Sequence, residues 1–271
     1  MGRRSLDWHK VEFVDTHCHL DFVAYQHDLS DVIKRAVDGG VNRIVVPGLN
    51  LESSREITRL VERYPEVFGA VGVHPGDVDS WQPNQLEEFA SMIQHDKIVA
   101  VGEIGLDFYH RKDNLPRQQE VLEVFLDLAL RYDKPVILHS RDCLQTLIRQ
   151  VEKHTPPNSN KRVHGVFHAF EGNYADAEEL ISMDFYLGAG GPVTYKNASI
   201  KHEVFSKIDL SHVLLETDGP FLSPQAHRGK RNEPAWIPII AEKIADLRQC
   251  DIKVVAEVTS RNAKTLFYWN D

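Results

Sequence analysis

Histidine and acidic residues follow short apolar runs at several widely separated places in the sequence. His17 and His19 lie just past the run 13–16 and are two residues apart, so both imidazoles project from the same side of an extended chain. That spacing is typical of paired metal ligands, although an isolated pair also arises by chance on surface turns. Five more apolar runs are followed in the same way by His74, by Glu103, by His139 and Arg141, by His168, and by Glu216 and Asp218. The recurrence indicates one shared site, whereas each residue alone would more often be structural.

Six of these residues could together bind metal ions: His17, His19, Glu103, His139, His168 and Asp218. A carboxylate at the end of an apolar strand is costly to bury unless it is paired or coordinates a cation. Four imidazoles and two carboxylates can form two adjacent metal sites in which one carboxylate bridges. The mixed nitrogen and oxygen donors suit Zn²⁺, Mn²⁺ or Mg²⁺. We therefore expect two divalent metal ions as the cofactor.

Alternating strands and helices would have to position these residues. The sequence predicts strands at 12–15, 43–47, 68–73, 98–102, 135–138, 163–167, 184–187 and 212–216. Helices are predicted at 29–38, 53–63, 85–94, 116–132, 143–153, 174–182, 200–206 and 236–248, and a C-terminal segment, 254–267, follows the last of them. Ser53 and Glu56 are at capping-box spacing, and Pro116 lies in a first turn. Continuous apolar runs such as 44–46 and 213–215 are typical of parallel strands covered on both faces. The pattern predicts an α/β single domain over residues 1–271, a (β/α)₈ TIM barrel, with an open doubly wound sheet as the alternative.

Composition narrows the classes of function. The chain has 271 residues, of which 42% are hydrophobic and 26% charged, which is typical of a globular protein. The formal net charge of −9 argues against a protein that coats duplex DNA by bulk electrostatics. Three cysteines at wide spacing indicate no disulfide framework, and no run is apolar enough for a signal peptide or a membrane span. We expect a soluble, cytoplasmic protein with no membrane contact and no obligate protein partner.

Local positive charge is nevertheless present in one loop. Arg228, Lys230 and Arg231 form a basic cluster that could grip phosphates, although such a run is also typical of a solvated loop. After the fourth predicted strand, Tyr109 could stack on a base and Arg111 could contact a nucleic-acid backbone. Arg228, Lys230 and Arg231 are therefore candidate substrate-binding residues.

Several motifs in this order resemble those of the TatD family of metal-dependent deoxyribonucleases, among the amidohydrolase-like barrels. They are Asp15-Thr16-His17-Cys18-His19-Leu20-Asp21, Gly72-Val73-His74-Pro75, Gly102-Glu103-Ile104-Gly105-Leu106-Asp107, His139-Ser140-Arg141, His168-Ala169-Phe170-Glu171-Gly172, Glu216-Thr217-Asp218-Gly219-Pro220 and 228–234. The resemblance covers about residues 14–267. The chain departs from the family pattern at Glu171, where the family usually has a small residue, and in the loop 155–162, which is longer than usual.

The resemblance implies a role for each motif. His17, His19 and Asp218 would hold one metal ion, His139 and His168 would hold the other, and Glu103 would bridge the two. Asp218 would also orient or deprotonate the attacking water. His74 and Arg141 would either lie behind the metal ligands and support them or contact a phosphate oxygen of the substrate. The implied fold is the (β/α)₈ barrel, and the implied activity is hydrolysis of DNA, often from a 3′ end.

Three functions are consistent with these residues. The first is a two-metal deoxyribonuclease, a 3′–5′ exonuclease that prefers single-stranded or frayed DNA ends, with Asp218 and Glu103 as its catalytic residues. The second is a small-molecule metallohydrolase that cleaves an amide, lactone or phosphoester at the same binuclear site. The third is a barrel without catalytic activity that serves as a binding module. The basic cluster favours the first function, and the complete set of six ligands argues against the third.

Overall fold

Eight parallel strands, taken in chain order, form one sheet that curls into a barrel. In this computed structural model, which describes residues 11–154 and 162–269, the strands are β1 (Phe13–Asp15), β2 (Val41–Pro47), β3 (Val67–Val71), β4 (Ile98–Asp107), β5 (Val136–Arg141), β6 (Gly165–Phe167), β7 (Tyr186–Ala189) and β8 (Val213–Leu215). Each strand pairs with the next from β1 to β8. The Thr16 N–H donates to the Leu215 carbonyl (3.0 Å), and Cys18 forms a parallel bridge with Gly219. The edges of β8 and β1 therefore meet, which confirms the barrel and excludes the open sheet.

A helix follows each strand and covers the outside of the barrel. The helices are α1 (Leu29–Asp38), α2 (Leu51–Arg63), α3 (Leu86–Met92), α4 (Leu115–Tyr132), α5 (Leu144–His154), α6 (Tyr174–Ser182), α7 (Ser199–Lys207) and α8 (Ile237–Arg248). A further helix, α9 (Ile252–Leu266), packs against β1, β8 and α8. Among the described residues, no helix combines the length and the apolar character that crossing a membrane requires.

Apolar side chains fill the barrel interior as well as the layer between strands and helices. The interior cluster takes Val14, Val45, Ala70, Ile137 and other residues from successive strands, and Leu266 and Phe267 at the end of α9 pack against it. Since these residues are almost fully buried, the interior is a packed core rather than a channel. Polar side chains are left to the C-terminal ends of the strands.

Several predicted boundaries differ from the observed ones by one to five residues, and for two of them the reason is identifiable. Strand β4 was expected to end at residue 102 but continues to Asp107, with all ten residues buried. Polar residues inside a strand had indicated a loop, whereas here they face the site. Helix α2 begins at Leu51 rather than at residue 53, because the Asn50 side chain accepts from the Ser53 N–H (3.0 Å) and Ser53 Oγ accepts from the Asn50 N–H (3.1 Å). Ser53 is therefore the third helical residue and not the cap.

Three further local predictions are confirmed, and one lies almost wholly outside the described residues. Pro116 does occupy the first turn of α4, where its missing N–H leaves no hydrogen bond unmade. Helices α1 and α6 have the predicted bounds. The loop predicted at 155–162 falls almost wholly on residues 155–161, which lie outside the described part of the chain.

Candidate metal centre

Residues from five strands converge at the C-terminal end of the barrel. His17 and His19 follow β1, His168 follows β6 and Asp218 follows β8, while Glu103 and His139 lie within β4 and β5. The six residues predicted as metal ligands are therefore brought together, although up to 201 residues of sequence separate them. All of them are buried or half-buried.

The first half of the centre contains the paired histidines of the β1 end. The Nε2 atoms of His17 and His19 lie 3.2 Å apart. Glu103 Oε2 is 3.2 Å from His17 Nε2 and 3.7 Å from His19 Nε2. Asp218 Oδ1 lies 3.6 Å and 3.5 Å from the same two nitrogens. Two nitrogens and two carboxylate oxygens thus face a common point.

The second half contains His139 and His168. Glu103 Oε1 is 2.8 Å from His139 Nδ1 and 2.8 Å from His168 Nε2, and these two nitrogens are 3.2 Å apart. His74 Nε2 lies 3.6 Å from the same oxygen. The two carboxylate oxygens of Glu103 therefore face different histidine pairs, which is the arrangement that a bridging ligand needs.

This donor set fits a divalent metal cofactor. Two imidazole nitrogens 3.2 Å apart repel each other if both present a free lone pair. Each pair therefore requires a shared proton or a cation between the two nitrogens. Among the described residues, three sets of three side chains each bring one donor atom per residue to within 4.8 Å of the other two. The sets are His17, His168 and Asp218; His17, His19 and Glu103; and His74, Glu103 and His139. Mixed imidazole and carboxylate donors are typical of zinc and manganese sites.

Burial and mutual charge set the protonation of the cluster. Burial alone would raise the pKa of Glu103, but the positive charge of His168 holds this pKa well below its usual value. Burial and the charge of His168 lower the pKa of His17 to about 4. Burial would also lower the pKa of His168, but Glu103 outweighs it and raises this pKa to about 10. Glu103 is therefore an anion, while His17 is a neutral imidazole that can donate its lone pair.

Asp218 lies between the ligand cluster and the mouth of the barrel. Its side chain is 13% exposed, whereas that of Glu103 is 2% exposed. Its backbone is left-handed (φ 57°), a conformation that aspartate tolerates better than most residues. The Asp218 N–H donates to the His17 carbonyl (2.8 Å), which fixes the end of β8 to the end of β1. Asp218 is thus placed to contact both a metal ion and a water from solvent.

Asp15 links the end of β1 to the end of β8 through hydrogen bonds. Its carboxylate accepts hydrogen bonds from the Thr217 N–H (2.9 Å), the Thr217 hydroxyl (2.5 Å) and the His17 N–H (3.2 Å). Burial raises the pKa of Asp15 to about 7. The residue holds the backbone on which His17 and Asp218 stand, and it does not face the ligand cluster.

Asp107 is a residue of the motif 102–107 whose role the sequence did not reveal. Asp107 Oδ2 is 3.3 Å from Nε2 of His139, and the carboxylate accepts from the backbone N–H groups of Tyr109 (2.8 Å) and His110 (2.7 Å). The His110 ring adds a contact of 2.8 Å. The spacing of four from Glu103 could have revealed it, since residues an even number apart in a strand share a face.

Glu216 is a second residue whose role the sequence did not define. It is fully buried, accepts a hydrogen bond from the Ala169 N–H, and lies 4.0 Å from His168 Nδ1. Burial raises its pKa to about 8. A side chain at Gly188 would collide with its carboxylate, so the glycine makes room for it. Glu216 supports the turn that carries His168.

The residues predicted to bind substrate have different surroundings. His74 lies beside Glu103, and burial lowers its pKa to about 3, so its ring is neutral. Arg141 pairs with Glu171 and lies over the ring of Tyr109, 5.2 Å from its centre. Arg141 therefore already has an anionic partner at the barrel mouth.

The three cations of the loop after β8 also differ in whether they already have a partner. Arg228 and Lys230 are exposed, and the Arg228 guanidinium lies 5.2 Å from the centre of the Tyr195 ring. Arg231 instead makes two hydrogen bonds of 2.7 Å to Asp28 and one of 2.5 Å to the Ala24 carbonyl. Its guanidinium thus anchors the loop to the segment after β1, while the other two cations face solvent.

Comparisons with known proteins identify this arrangement. The model of the TatD-related DNase family matches residues 14–268. The uncharacterized metal-dependent hydrolase YabD of Bacillus subtilis is 38% identical over 94% of this chain and 99% of its own length. A protein of Escherichia fergusonii named 3′-5′ ssDNA/RNA exonuclease TatD is 32% identical, over 93% of this chain and 98% of its own.

A solved structure agrees with the fold and the family. The crystal structure of YjjV, a TatD homologue from Escherichia coli, is 35% identical and superposes with a TM-score of 0.89 over 95% of this chain and 98% of that one. These matches span nearly the whole chain and confirm the resemblance of its motifs. The chain therefore belongs to the TatD family and is a metal-dependent hydrolase.

Proposed function

We propose that this hydrolase cleaves phosphodiester bonds of single-stranded DNA, from the 3′ end, at a centre of two divalent metal ions. The observation that carries the proposal is the position of Glu103, whose two oxygens lie 2.8–3.7 Å from the nitrogens of two different pairs of histidines. One carboxylate shared between two ligand groups is the arrangement that two-metal hydrolysis requires. His17, His19 and Asp218 would hold one ion, and His139 and His168 the other.

The residues of the chain divide the chemical work between them. Bound divalent cations would lower the pKa of a water and stabilise negative charge on the leaving oxygen. Asp218, as the more exposed acid of the cluster, would take the proton of the attacking water at its free carboxylate oxygen. His74, with its neutral ring, would donate a hydrogen bond to a phosphate oxygen without adding charge. Glu103 would keep the two ligand groups at a fixed separation.

Nucleic acid is supported by local charge and by one relative. The chain carries a net charge of −9, so attraction of a polyanion depends on metal ions and on local cations. Arg228 and Lys230 supply exposed cations in the loop that follows Asp218. The Escherichia fergusonii relative carries the name of a ssDNA/RNA exonuclease. Single-stranded ends suit this site, because its cluster of histidines and carboxylates is buried or half-buried and a single strand is narrower than a duplex.

A small-molecule metallohydrolase is the second candidate, and the pairing of Arg141 with Glu171 favours it. This ion pair neutralises a cation at the mouth that a phosphate would otherwise meet. The neutralisation would not weaken the binding of a neutral amide or lactone. The two candidates share the metal centre and differ in the substrate that approaches it.

One experiment distinguishes the candidates. Metal-depleted protein is resupplied with Mg²⁺, Mn²⁺ or Zn²⁺ and tested on 5′-labelled single-stranded DNA, duplex DNA, single-stranded RNA and an aryl ester. We expect a ladder of shortened DNA that depends on metal, and its loss in Asp218→Asn with an unchanged melting temperature. Turnover of the ester without any shortening of nucleic acid would overturn the nuclease proposal and support the second candidate.

A further inference from the structure

Two phenylalanines, Phe221 exposed and Phe22 half-buried, form an aromatic surface directly beside the metal centre. Phe22 follows the histidine pair of β1, and Phe221 follows Asp218; their ring centres lie 5.8 Å apart and nearly perpendicular (85°). The His19 ring is 4.9 Å from Phe22 and 6.5 Å from Phe221. We call these two phenylalanines the aromatic corner. It adjoins a proposed metal ligand, so a group bound there would lie next to the reacting phosphate.

The Phe221 ring of the aromatic corner is exposed although its backbone is firmly held. Phe221 is 51% exposed. Its N–H donates to the Asp218 carbonyl (2.9 Å), and its own carbonyl accepts from the Asn232 side chain (2.7 Å). The Tyr25 hydroxyl in turn donates to the Asn232 carbonyl (2.5 Å). The loop is thus rigid without help from the Phe221 ring, which leaves that ring free to contact a ligand.

Positive charge lies on the same loop as the aromatic corner. Ser223 donates to the carbonyl of Lys230 (2.5 Å), which folds the segment with Arg228 and Lys230 back beside Phe221. Aromatic rings that alternate with exposed cations are the combination that binds single-stranded nucleic acid, since the rings stack on bases and the cations follow the phosphates. An apolar partner without charge would have no use for these cations.

A second exposed aromatic ring lies on the other side of the mouth. Tyr109 is 59% exposed and follows β4, whereas the aromatic corner follows β1 and β8. Strand β4 lies opposite β8 in an eight-stranded barrel of this order. The metal centre therefore lies between two aromatic surfaces, and the nucleotides on the two sides of one phosphate could each meet one of them.

We propose that the aromatic corner is a nucleobase subsite, in which Phe22 and Phe221 stack on the base of a nucleotide flanking the cleaved bond. The proposal rests on the proposed nuclease function and adds to it the feature of the substrate that is recognised. Bases in a duplex already stack on their neighbours and cannot enter the aromatic corner. The subsite therefore predicts a preference for single-stranded or frayed ends and little preference among the four bases.

The test removes the stacking surface and the base separately. Phe221→Leu keeps an apolar side chain without the aromatic ring, and Phe221→Trp restores a ring. Val23→Ala is the matched control, because Val23 is 77% exposed on the segment that carries Phe22. Each protein, loaded with metal, is assayed on single strands that are intact or that carry an abasic residue at the terminal, the penultimate or a distant internal position. Binding of the same strands is measured in the metal-free proteins.

The expected result is specific to the subsite. Phe221→Leu lowers kcat/KM on the intact strand about tenfold, mainly through KM, while Phe221→Trp and Val23→Ala stay close to the parent protein. An abasic residue at the terminal or penultimate position causes a similar loss in the parent but no further loss in Phe221→Leu. Equal cleavage of intact and abasic strands, or an additive loss in the variant, would overturn the subsite while leaving the nuclease function intact. A parent protein that cleaves no nucleic acid would overturn the nuclease function, and the subsite with it.

Discussion

Asp107 contacts the ring nitrogen of His139 that faces away from the centre. Asp107 Oδ2 lies 3.3 Å from Nε2, while Nδ1 on the other side of the ring faces Glu103 at 2.8 Å. A carboxylate accepts hydrogen bonds, so Asp107 favours a proton on Nε2 and leaves the Nδ1 lone pair to a metal ion. The backbone N–H groups of Tyr109 and His110 hold that carboxylate in place. Asp107 thus orients His139, a proposed metal ligand, and does not take its place in the metal centre.

Replacement of Asp107 by leucine should weaken metal binding. The His139 ring would lose the partner that fixes its orientation and its protonated nitrogen, and we expect affinity to fall about 10- to 100-fold. Titration of the metal-free protein with Zn²⁺ in competition with a chromogenic chelator measures this directly. Asp113→Asn is the control, because this acid of the same loop has a side chain 78% exposed and lies away from His139. Equal affinities in the leucine variant and the parent would show that Asp107 serves only the loop.

Replacement of Glu103 by alanine should remove metal from both halves of the centre. The two Glu103 oxygens face separate histidine pairs, so each half loses an anionic donor. Replacement of His19 by alanine should affect one half alone, since His19 contacts Glu103 Oε2 and Asp218 but not the His139 pair. Metal content per chain, measured by mass spectrometry after dialysis, separates the two outcomes. Retention of one tightly bound ion in Glu103→Ala would contradict the bridging role.

The local features of the fold could be predicted because their signals are local. Helices α1 and α6 have the predicted bounds, since an amphipathic period and its flanking polar residues lie within a few residues of one another. The convergence of the six proposed ligands could be predicted from their places after apolar runs, because a barrel gathers strand ends on one side. Asp107 was missed because its importance depends on the His139 side chain of the neighbouring strand, which is 32 residues away in sequence. The sequence around Asp107 and the sequence around His139 give no sign of that contact.

The sequence could not show which cations at the barrel mouth are free to bind substrate, because this also depends on contacts between distant segments. Arg141 was expected to contact phosphate, but whether it is available depends on Glu171, which lies 30 residues away in sequence. Arg231 was grouped with Arg228 by adjacency, although its guanidinium points to Asp28. A basic run in a sequence shows which charges exist, and only the fold shows which of them are already paired.

Replacement of Glu171 by glutamine should improve binding of nucleic acid. The change removes the anion that pairs with Arg141, so the guanidinium can meet a phosphate at the barrel mouth. We expect KM for single-stranded DNA to fall several-fold with little change in kcat, and the gain to shrink at high salt. Glu178→Gln makes the same change of net charge on the exposed face of α6 and is the control. An equal gain in both variants would mean that net charge alone is responsible, and no gain would favour a neutral substrate.

The cations of the loop after β8 should separate into two classes by their effects. Arg228→Ala combined with Lys230→Ala removes exposed charge, so DNA binding should weaken most at low salt, where screening is least, while the melting temperature stays unchanged. Arg231→Ala leaves Asp28 without its closest partner and frees the loop that carries Phe221, so it should lower the free energy of unfolding by about 1 kcal/mol. Fluorescence anisotropy with labelled single strands at several salt concentrations, together with urea unfolding, measures both effects. If Arg231→Ala were as stable as the parent and bound DNA as weakly as the double variant, the anchoring role of Arg231 would be wrong. Arg231 would then belong with the two phosphate-binding cations.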